Sequence, residues 1–407
     1  MAHVPRASYA WENREQWLEL PFPVEEYQGR IERLRTEMEK EGYDALLVHG
    51  MPARSGHVRY VANFNSFLGN TLVVIPKSGD PAFITETVFH GEPMHAMVWT
   101  TWMRDVRWAD FPISPGLDDF MAQVKAVFSE KGLQKGRLGI VGARWIPALL
   151  MTALEGTFPQ ARFSSAAGLF RRVTAIKSPR EIEVMRKTNA IAGRGFEAGF
   201  AVTRPGVHEF EIAARIHDAM VQEGAEEVWT PLAVVAGPKA GFKHCSPSRR
   251  TIRDGDMIFV DISPIHQGYI VDVSRTTVIG KSSPEAVKML DTALLMADEA
   301  VKAIKPGING QRLVEVTRKV AEESGMLEWF YPTAIGHGVG TTKFESPLMV
   351  GDDIDIVLEP NMVFALEPML VREGVGTAVV EDTILVTERG AEILPCFTRK
   401  LWNAKGD

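Results

Sequence analysis

The chain has 407 residues, of which 45% are hydrophobic, and its 45 basic and 52 acidic side chains leave a formal charge of −7. That length allows two or three domains with substantial cores, and the acidic balance argues against a nucleic-acid partner, which needs a clustered positive surface. No apolar run approaches the roughly 20 residues of a membrane span, the first residues lack the basic-then-apolar order of a signal peptide, and Cys245 and Cys396 are too few to staple such a chain. A cytoplasmic, reducing setting is therefore expected.

In chain order, Tyr27, Ile31, Leu34 and Met38 recur at helical spacing and predict an amphipathic helix over 25–42, followed by a strand at 45–48. Strands at 71–75 and 137–141, with a helix at 117–131 between them, complete the expectation of a small α/β domain over residues 1–172. Trp99, Trp102 and Trp108 in that domain interleave with Arg104 and Arg107. Aromatic and arginine side chains together favour pockets and interfaces, so Trp99, Trp102 and Arg104 are weak candidates for a substrate pocket, with ordinary core packing as the competing reading. The basic run Arg249, Arg250 and Arg253 reads as a solvated turn, with a weak alternative role toward an anionic group.

A second domain, 173–407, opens on a helix-start signal. Ser178 suits the N-cap, Pro179 the first helical position, and Glu181 completes a capping box, which predicts a helix running to about Val202. An internal repeat follows. Arg204-Pro205-Gly206-Val207 and a helical stretch ending at Gly224 recur as Lys305-Pro306-Gly307-Ile308 and a stretch ending at Gly325, and Met257 and Phe259 in one strand match Met362 and Phe364 in another. A pseudo-twofold pair of helix-strand units brings residues of both halves to a shared middle, where ligands collect.

Into that middle fall Asp261, Asp272, His337, Glu367 and Glu381, each in or beside a short apolar run. A single Asp at a strand end is ordinarily a turn or cap residue, but four buried carboxylates destabilise a fold unless a cation meets them. Asp261 ends Met257-Ile258-Phe259-Val260 and Asp272 lies in Gly268-Tyr269-Ile270-Val271-Asp272, a span that reads as two strands joined by a turn. One imidazole with four carboxylates is a hard ligand set suited to two divalent ions of manganese, iron, cobalt or zinc, and such ions lower the pKa of water held between them.

The segments GYIVDVSRT, GHGVG (336–340), ALEP and VED (380–382) resemble those of the pita-bread fold metallohydrolases, a family of Xaa-Pro aminopeptidases, prolidases, methionine aminopeptidases and metal-free creatinases. The resemblance covers the chain from about residue 177 onward. It implies an α+β chain whose C-terminal domain is a pita-bread fold with a pseudo-twofold repeat, preceded by a smaller creatinase-like α/β N-terminal domain. It also implies roles: Asp261 as terminal ligand of a first metal, His337 and Glu367 serving a second, Asp272 and Glu381 bridging, and His244 contacting substrate and stabilising charge on the reacting carbonyl. Glu367 is the candidate proton carrier. In relatives with this N-terminal domain it helps form a homodimer and closes the neighbour's site.

Two positions depart from the family's peptidases. Phe344, in Phe344-Glu345-Ser346-Pro347, stands where they carry a histidine, and Val379 where they commonly carry an arginine. Each lost donor removes a contribution of about 3 kcal/mol to oxyanion stabilisation. The leading expectation is a dinuclear metallohydrolase of Xaa-Pro peptidase type acting on a short peptide. The alternative is a member diverted to a small metabolite, by creatinase-like amidine hydrolysis or by lyase chemistry of the dimethylsulfoniopropionate type. A catalytically silent binding protein fits poorly with five retained ligands.

Overall fold

The computed structural model describes residues 18–87, 100–110, 116–228, 232–242, 245–331, 334–343 and 345–402. The chain forms two compact units, Met1–Val173 and Thr174–Asp407.

The first unit is built on a six-stranded sheet. Helix α1 (Val24–Glu41) precedes β1 (Ala45–Gly50), α2 (Gly56–Ala62), β2 (Thr71–Pro76), β3 (Ala82–Thr87) and β4 (Asp105–Asp110); α3 (Asp118–Glu130), β5 (Arg137–Val141), α4 (Ala148–Thr157), β6 (Arg162–Ser165) and α5 (Ala167–Ala175) follow. The spatial order is β4-β3-β2-β1-β5-β6, with β1 antiparallel to β2 and parallel to β5. All six residues of β1 are buried, as strands covered on both faces require. The stripe Tyr27, Ile31, Leu34 and Met38 of α1 is buried as its spacing predicts, but Arg30 is buried with it, only 1% exposed. Its guanidinium lies 4.6 to 5.0 Å from the ring centres of Phe22, Tyr27 and Tyr60, donates to the Tyr60 carbonyl at 3.0 Å and stands 3.6 Å from the Glu26 carboxylate one turn back, so its charge is met by ring faces, a backbone oxygen and an acid.

The second unit carries the repeat. Its first half runs through α6 (Pro179–Val202), α7 (Glu209–Gln222), β7 (Glu227–Val228), β8 (Ala233–Ala236), β9 (Met257–Ile262), β10 (Pro264–His266), β11 (Tyr269–Ile270) and β12 (Val273–Val278). Its second half comprises α8 (Pro284–Ala303), α9 (Gln311–Glu323), β13 (Gly336–Gly338), β14 (Glu345–Val350), β15 (Val363–Leu366), β16 (Met369–Arg372), β17 (Gly376–Val379), β18 (Asp382–Thr387) and β19 (Gly390–Ile393). Ser178 accepts from the Glu181 amide and Glu181 returns to the Ser178 amide, the full capping box. The duplication reaches further than the Pro-Gly turns, because Ser283 caps α8 ahead of Pro284 as Ser178 caps α6 ahead of Pro179. Gly206 and Gly307 both adopt positive φ, 93° and 84°, as do Gly224 and Gly325 at the ends of the matched helices, 97° and 68°; glycine reaches this region without a Cβ penalty.

The strands segregate by half. β8, β9 and β12 form one antiparallel sheet, and β14-β13-β15-β18-β19 another. Behind the second sheet a core of Met289, Leu290, Met296, Phe364, Leu366 and Val386 seals the helices to it. The span 257–278 holds four strands, not the expected two. β9 and β12 pair in register, Asp261 opposite Ser274, while the chain between them folds into the hairpin β10-β11, which pairs with β7. Asp272 sits in the break before β12. The hairpin is too short to show a period in sequence. Arg250 of the basic run is engaged within the protein, its guanidinium holding Asp256 through two bonds of 2.6 and 2.8 Å. Cys245 and Cys396 are free thiols, and no helix of the described residues is long and apolar enough to cross a membrane.

Gly336 sets how closely β13 approaches β15. A Cβ there would lie 2.5 Å from the Ala365 carbonyl oxygen, a backbone atom that cannot swing aside. Gly336→Ala is expected to destabilise the second unit by about 1–3 kcal/mol, seen as a lower urea midpoint with an unchanged slope; an unaltered midpoint would show that the two strands have room to part.

Candidate metal centre

The site residues arrive from both halves of the repeat. β9 carries Asp261 near its end and the chain re-enters the sheet just after Asp272, while β13 carries His337 opposite Ala365 of β15. Glu367 follows directly on β15, its amide donating to the Ile335 carbonyl at 2.7 Å. Glu381 lies between β17 and β18, and its amide donates to the Ser274 carbonyl at 3.1 Å, tying the second half to β12 of the first.

Arg275 fixes that junction, and sequence reasoning missed it. Only 1% exposed, it pairs with Asp382 at 2.9 Å and donates to the backbone carbonyls of Ser274, Glu381 and Thr398. Its backbone also bridges Val380. One buried guanidinium thus ties Glu381 and its neighbour to both β12 and the C-terminal segment, and the arginine of the GYIVDVSRT segment was the only signal for it.

Asp272, His337 and Glu381 are all buried, and one ligand atom of each lies within 4.8 Å of the others. His337 Nε2 is 3.2 Å from Asp272 Oδ2 and 3.7 Å from Glu367 Oε1. Glu367 is the more open carboxylate, its side chain 20% exposed. Asp261 is partly exposed as a residue, yet its Oδ1 is sealed from solvent. That atom and Glu381 Oε1 have no hydrogen-bond partner.

A lysine enters the same cluster. Lys343 Nζ lies 3.0 Å from Asp272 Oδ2 and donates to Ser263 Oγ at 2.9 Å, while Ser263 donates to Asp272 Oδ1 at 2.6 Å. The charges divide the carboxylates sharply. Burial, with Asp272 and Glu367 adding repulsion against the pull of Lys343, raises Asp261 to about 7. Burial and the charges of Asp272, Glu367 and Asp261 push Glu381 well above the ordinary range. Burial acts upward on Asp272 too, but Lys343, His337 and the Ser263 hydroxyl outweigh it and hold that carboxyl low. Burial would lower His337, and the hydrogen bond and charge of Asp272 overcome it. Carboxylates whose environments drive their titration apart mark a functional cluster.

The donor set fits divalent metal. Two carboxyl oxygens, shut away from water and unpartnered, leave a desolvation cost that a cation removes, and carboxylate oxygens with one imidazole are hard ligands.

The remaining candidates fall elsewhere. His244, Phe344 and Trp99 lie outside the described residues. Val379 is fully buried in an apolar cluster with Val235, Phe259 and Met369, so an arginine there would have to displace core packing. In the first unit, Trp102 donates to the Val61 carbonyl at 2.8 Å and stacks on Tyr27. Trp102 and Arg104 border a cleft of about 730 Å³ with Leu20, Phe22 and Asp80.

Comparison with known proteins agrees with this architecture. The model of metallopeptidase family M24 matches residues 183–388, and that of the creatinase/prolidase N-terminal domain matches 30–176. The Xaa-Pro dipeptidase of Pyrococcus horikoshii is 25% identical over 91% of this chain and 98% of its own length. A probable dipeptidase, PepE, of Mycobacterium bovis is 30% identical over 79% of this chain and 82% of its own. The solved Xaa-Pro dipeptidase of Bacillus anthracis superposes with a TM-score of 0.79 at 27% identity, covering 92% of this chain and 99% of that one. Duplicated halves, a buried centre that calls for divalent metal, and a family match across the second unit converge: the chain has the pita-bread fold and belongs to metallopeptidase family M24, as a metal-dependent peptidase.

Proposed function

We propose that this peptidase acts on Xaa-Pro peptides, with two divalent ions of the manganese, iron, cobalt or zinc type held by Asp261, Asp272, His337, Glu367 and Glu381. The observation that carries the reading is the buried trio Asp272, His337 and Glu381 beside sealed, unpartnered carboxylate oxygens. The Xaa-Pro dipeptidases of Pyrococcus horikoshii and Bacillus anthracis, similar over nearly their whole lengths, support the substrate class. The non-peptide alternatives, amidine hydrolysis and lyase chemistry, are not favoured by these relatives.

Bound metal supplies Lewis acidity toward the peptide carbonyl and a lowered pKa for water. The chain supplies the rest. Asp272, central in the cluster and held low, is the carboxylate best kept ionised for two ions at once. Glu367 is assigned the transfer of a proton from water to the departing proline nitrogen, a role supported by its being the more open of the group. His244 is assigned the substrate carbonyl by the resemblance alone. The division of labour between residues 1–172 and 173–407, a homodimer closed by the N-terminal domain, and a cytoplasmic setting belong to the same proposal.

Purified protein loaded with manganese is expected to hydrolyse Gly-Pro or an Xaa-Pro tripeptide while leaving Gly-Gly and Gly-Ala nearly untouched; equal rates on all four would remove the proline assignment. Asp272→Ala and Glu381→Ala are each expected to lower kcat/KM by at least about 1,000-fold and to lose metal on dialysis. A variant that keeps its metal and full turnover would take that residue out of the ligand set.

Uptake should also depend on pH. Asp261 carries its proton up to about 7 in the metal-free protein, and an ion must displace it. Affinity is therefore expected to rise as pH passes upward through that value and to fall below it, with proton release visible by calorimetry in buffers of different ionisation enthalpy. Uptake without proton release at a pH just below that value would contradict the raised carboxyls of Asp261 and Glu381 alike.

A further inference from the structure

Glu209, the first residue of α7, is fully buried and has no part in the chemistry described above. Both of its oxygens are spent on one stretch of chain. Oε1 accepts from the Ala236 amide, at the end of β8, at 2.9 Å. Oε2 accepts from Lys239 Nζ at 2.9 Å, from the Ser248 amide at 2.9 Å and from the Ser248 hydroxyl at 2.7 Å. Lys239 closes the ring by donating also to the Ser246 carbonyl at 2.8 Å. One carboxylate thus grips both ends of 236–248, and His244 falls between the two grips in sequence.

Stability alone does not call for such a group. A carboxylate stripped of water is costly even when paired, and apolar residues of similar volume often replace buried ion pairs without loss. An apolar side chain cannot, however, take donors from three points of a chain at fixed distances, which is what an ionised carboxylate does. Burial pushes the Glu209 carboxyl upward, and the Ser248 hydroxyl, Lys239 and two backbone amides outweigh it and hold it below its ordinary range. All four acceptor bonds therefore persist at neutral pH. The gripped stretch also starts in the right place. β8 pairs with β9, Ala233 opposite Asp261, so the chain leaves a strand that borders a candidate ligand. Further along, Gly241 passes so near β16 that a Cβ would lie 3.1 Å from the Arg372 carbonyl oxygen.

We infer that Glu209 is a positioning residue for peptide hydrolysis: with Lys239 and Ser248 it fixes the 236–248 segment so that His244 meets the substrate carbonyl. This rests on the role given to His244 above and adds what holds that residue in place. The carboxylate acts through the segment and touches neither substrate nor metal.

The test is a double-mutant cycle on the manganese-loaded protein, with Gly-Pro as substrate and metal content measured on each sample. Glu209→Gln keeps the volume but turns a donor toward Lys239 and Ser248. It is expected to lower kcat about 100-fold, with KM within about threefold of wild type and metal content unchanged, because the lost contact acts in the transition state. In a His244→Ala background the same substitution should cost less than about threefold, since the group it positions is already gone. Lys239, whose side chain is 29% exposed, supplies a second variant that leaves the core intact: Lys239→Met should lower kcat about tenfold, and Lys239→Arg should restore most of it. Glu209→Gln should also speed hydrogen exchange at the Ala236 and Ser248 amides. Equal losses in the two backgrounds would overturn the inference, because a residue serving only the fold lowers the active fraction whatever stands at 244. Unchanged exchange at both amides would overturn it as well. Wild-type turnover by His244→Ala would instead remove His244 from the reaction, and the inference with it, while leaving the metal site untouched.

Discussion

The second unit is organised around one electrostatic problem, the concentration of Asp261, Asp272, Glu367 and Glu381 in a place with little water. No set of hydrogen bonds in the described residues resolves it, since Asp261 Oδ1 and Glu381 Oε1 remain unpartnered. Removing a charge from water costs several kcal/mol even after relaxation, so the fold can keep these groups only by protonating some and neutralising others. The opposite displacements of Asp261 and Glu381, upward, and of Asp272, downward, record that division. A cation is the general solution, and the chain supplies two partial ones of its own in His337 and Lys343.

Duplication explains how so many carboxylates meet. Asp261 and Asp272 belong to the first half, His337, Glu367 and Glu381 to the second, and the halves repeat down to the serine caps of α6 and α8. What joins them is polar. Arg275 gathers Ser274, Glu381, Asp382 and Thr398 about one guanidinium, and Thr383 donates to both Asn189 and the Asp272 carbonyl. Ligands placed by strand ends and locked by such contacts sit more rigidly than ligands on loops, which is what catalysis by positioned groups demands.

Much of this was legible in the sequence because it is local. The capping box, the Pro-Gly turns and the stripe of α1 each declare themselves within a few residues, and they appear at Ser178, at Gly206 and Gly307, and along Tyr27 to Met38. The carboxylates could be singled out because an acid ending an apolar run is costly wherever it folds. What escaped depends on distant partners. Lys343 carries no local signal of its place, because its partners Ser263 and Asp272 come from far back in the chain. Arg30 is buried partly through rings that come from outside its helix, Phe22 and Tyr60. Val379 read as a lost pocket donor, whereas its surroundings make it core. The hairpin β10-β11 is set by its pairing to β7, which no short-range pattern encodes.

The measurement that bears most directly on the metal centre is anomalous diffraction at the manganese edge from crystals equilibrated with Mn²⁺. A strong peak is expected within coordination distance of Asp272, His337 and Glu381, about 2.0–2.3 Å from their ligand atoms. A peak anywhere else, or a centre that stays empty at saturating Mn²⁺ with its carboxylates unmoved, would contradict a cation as the partner of these buried acids.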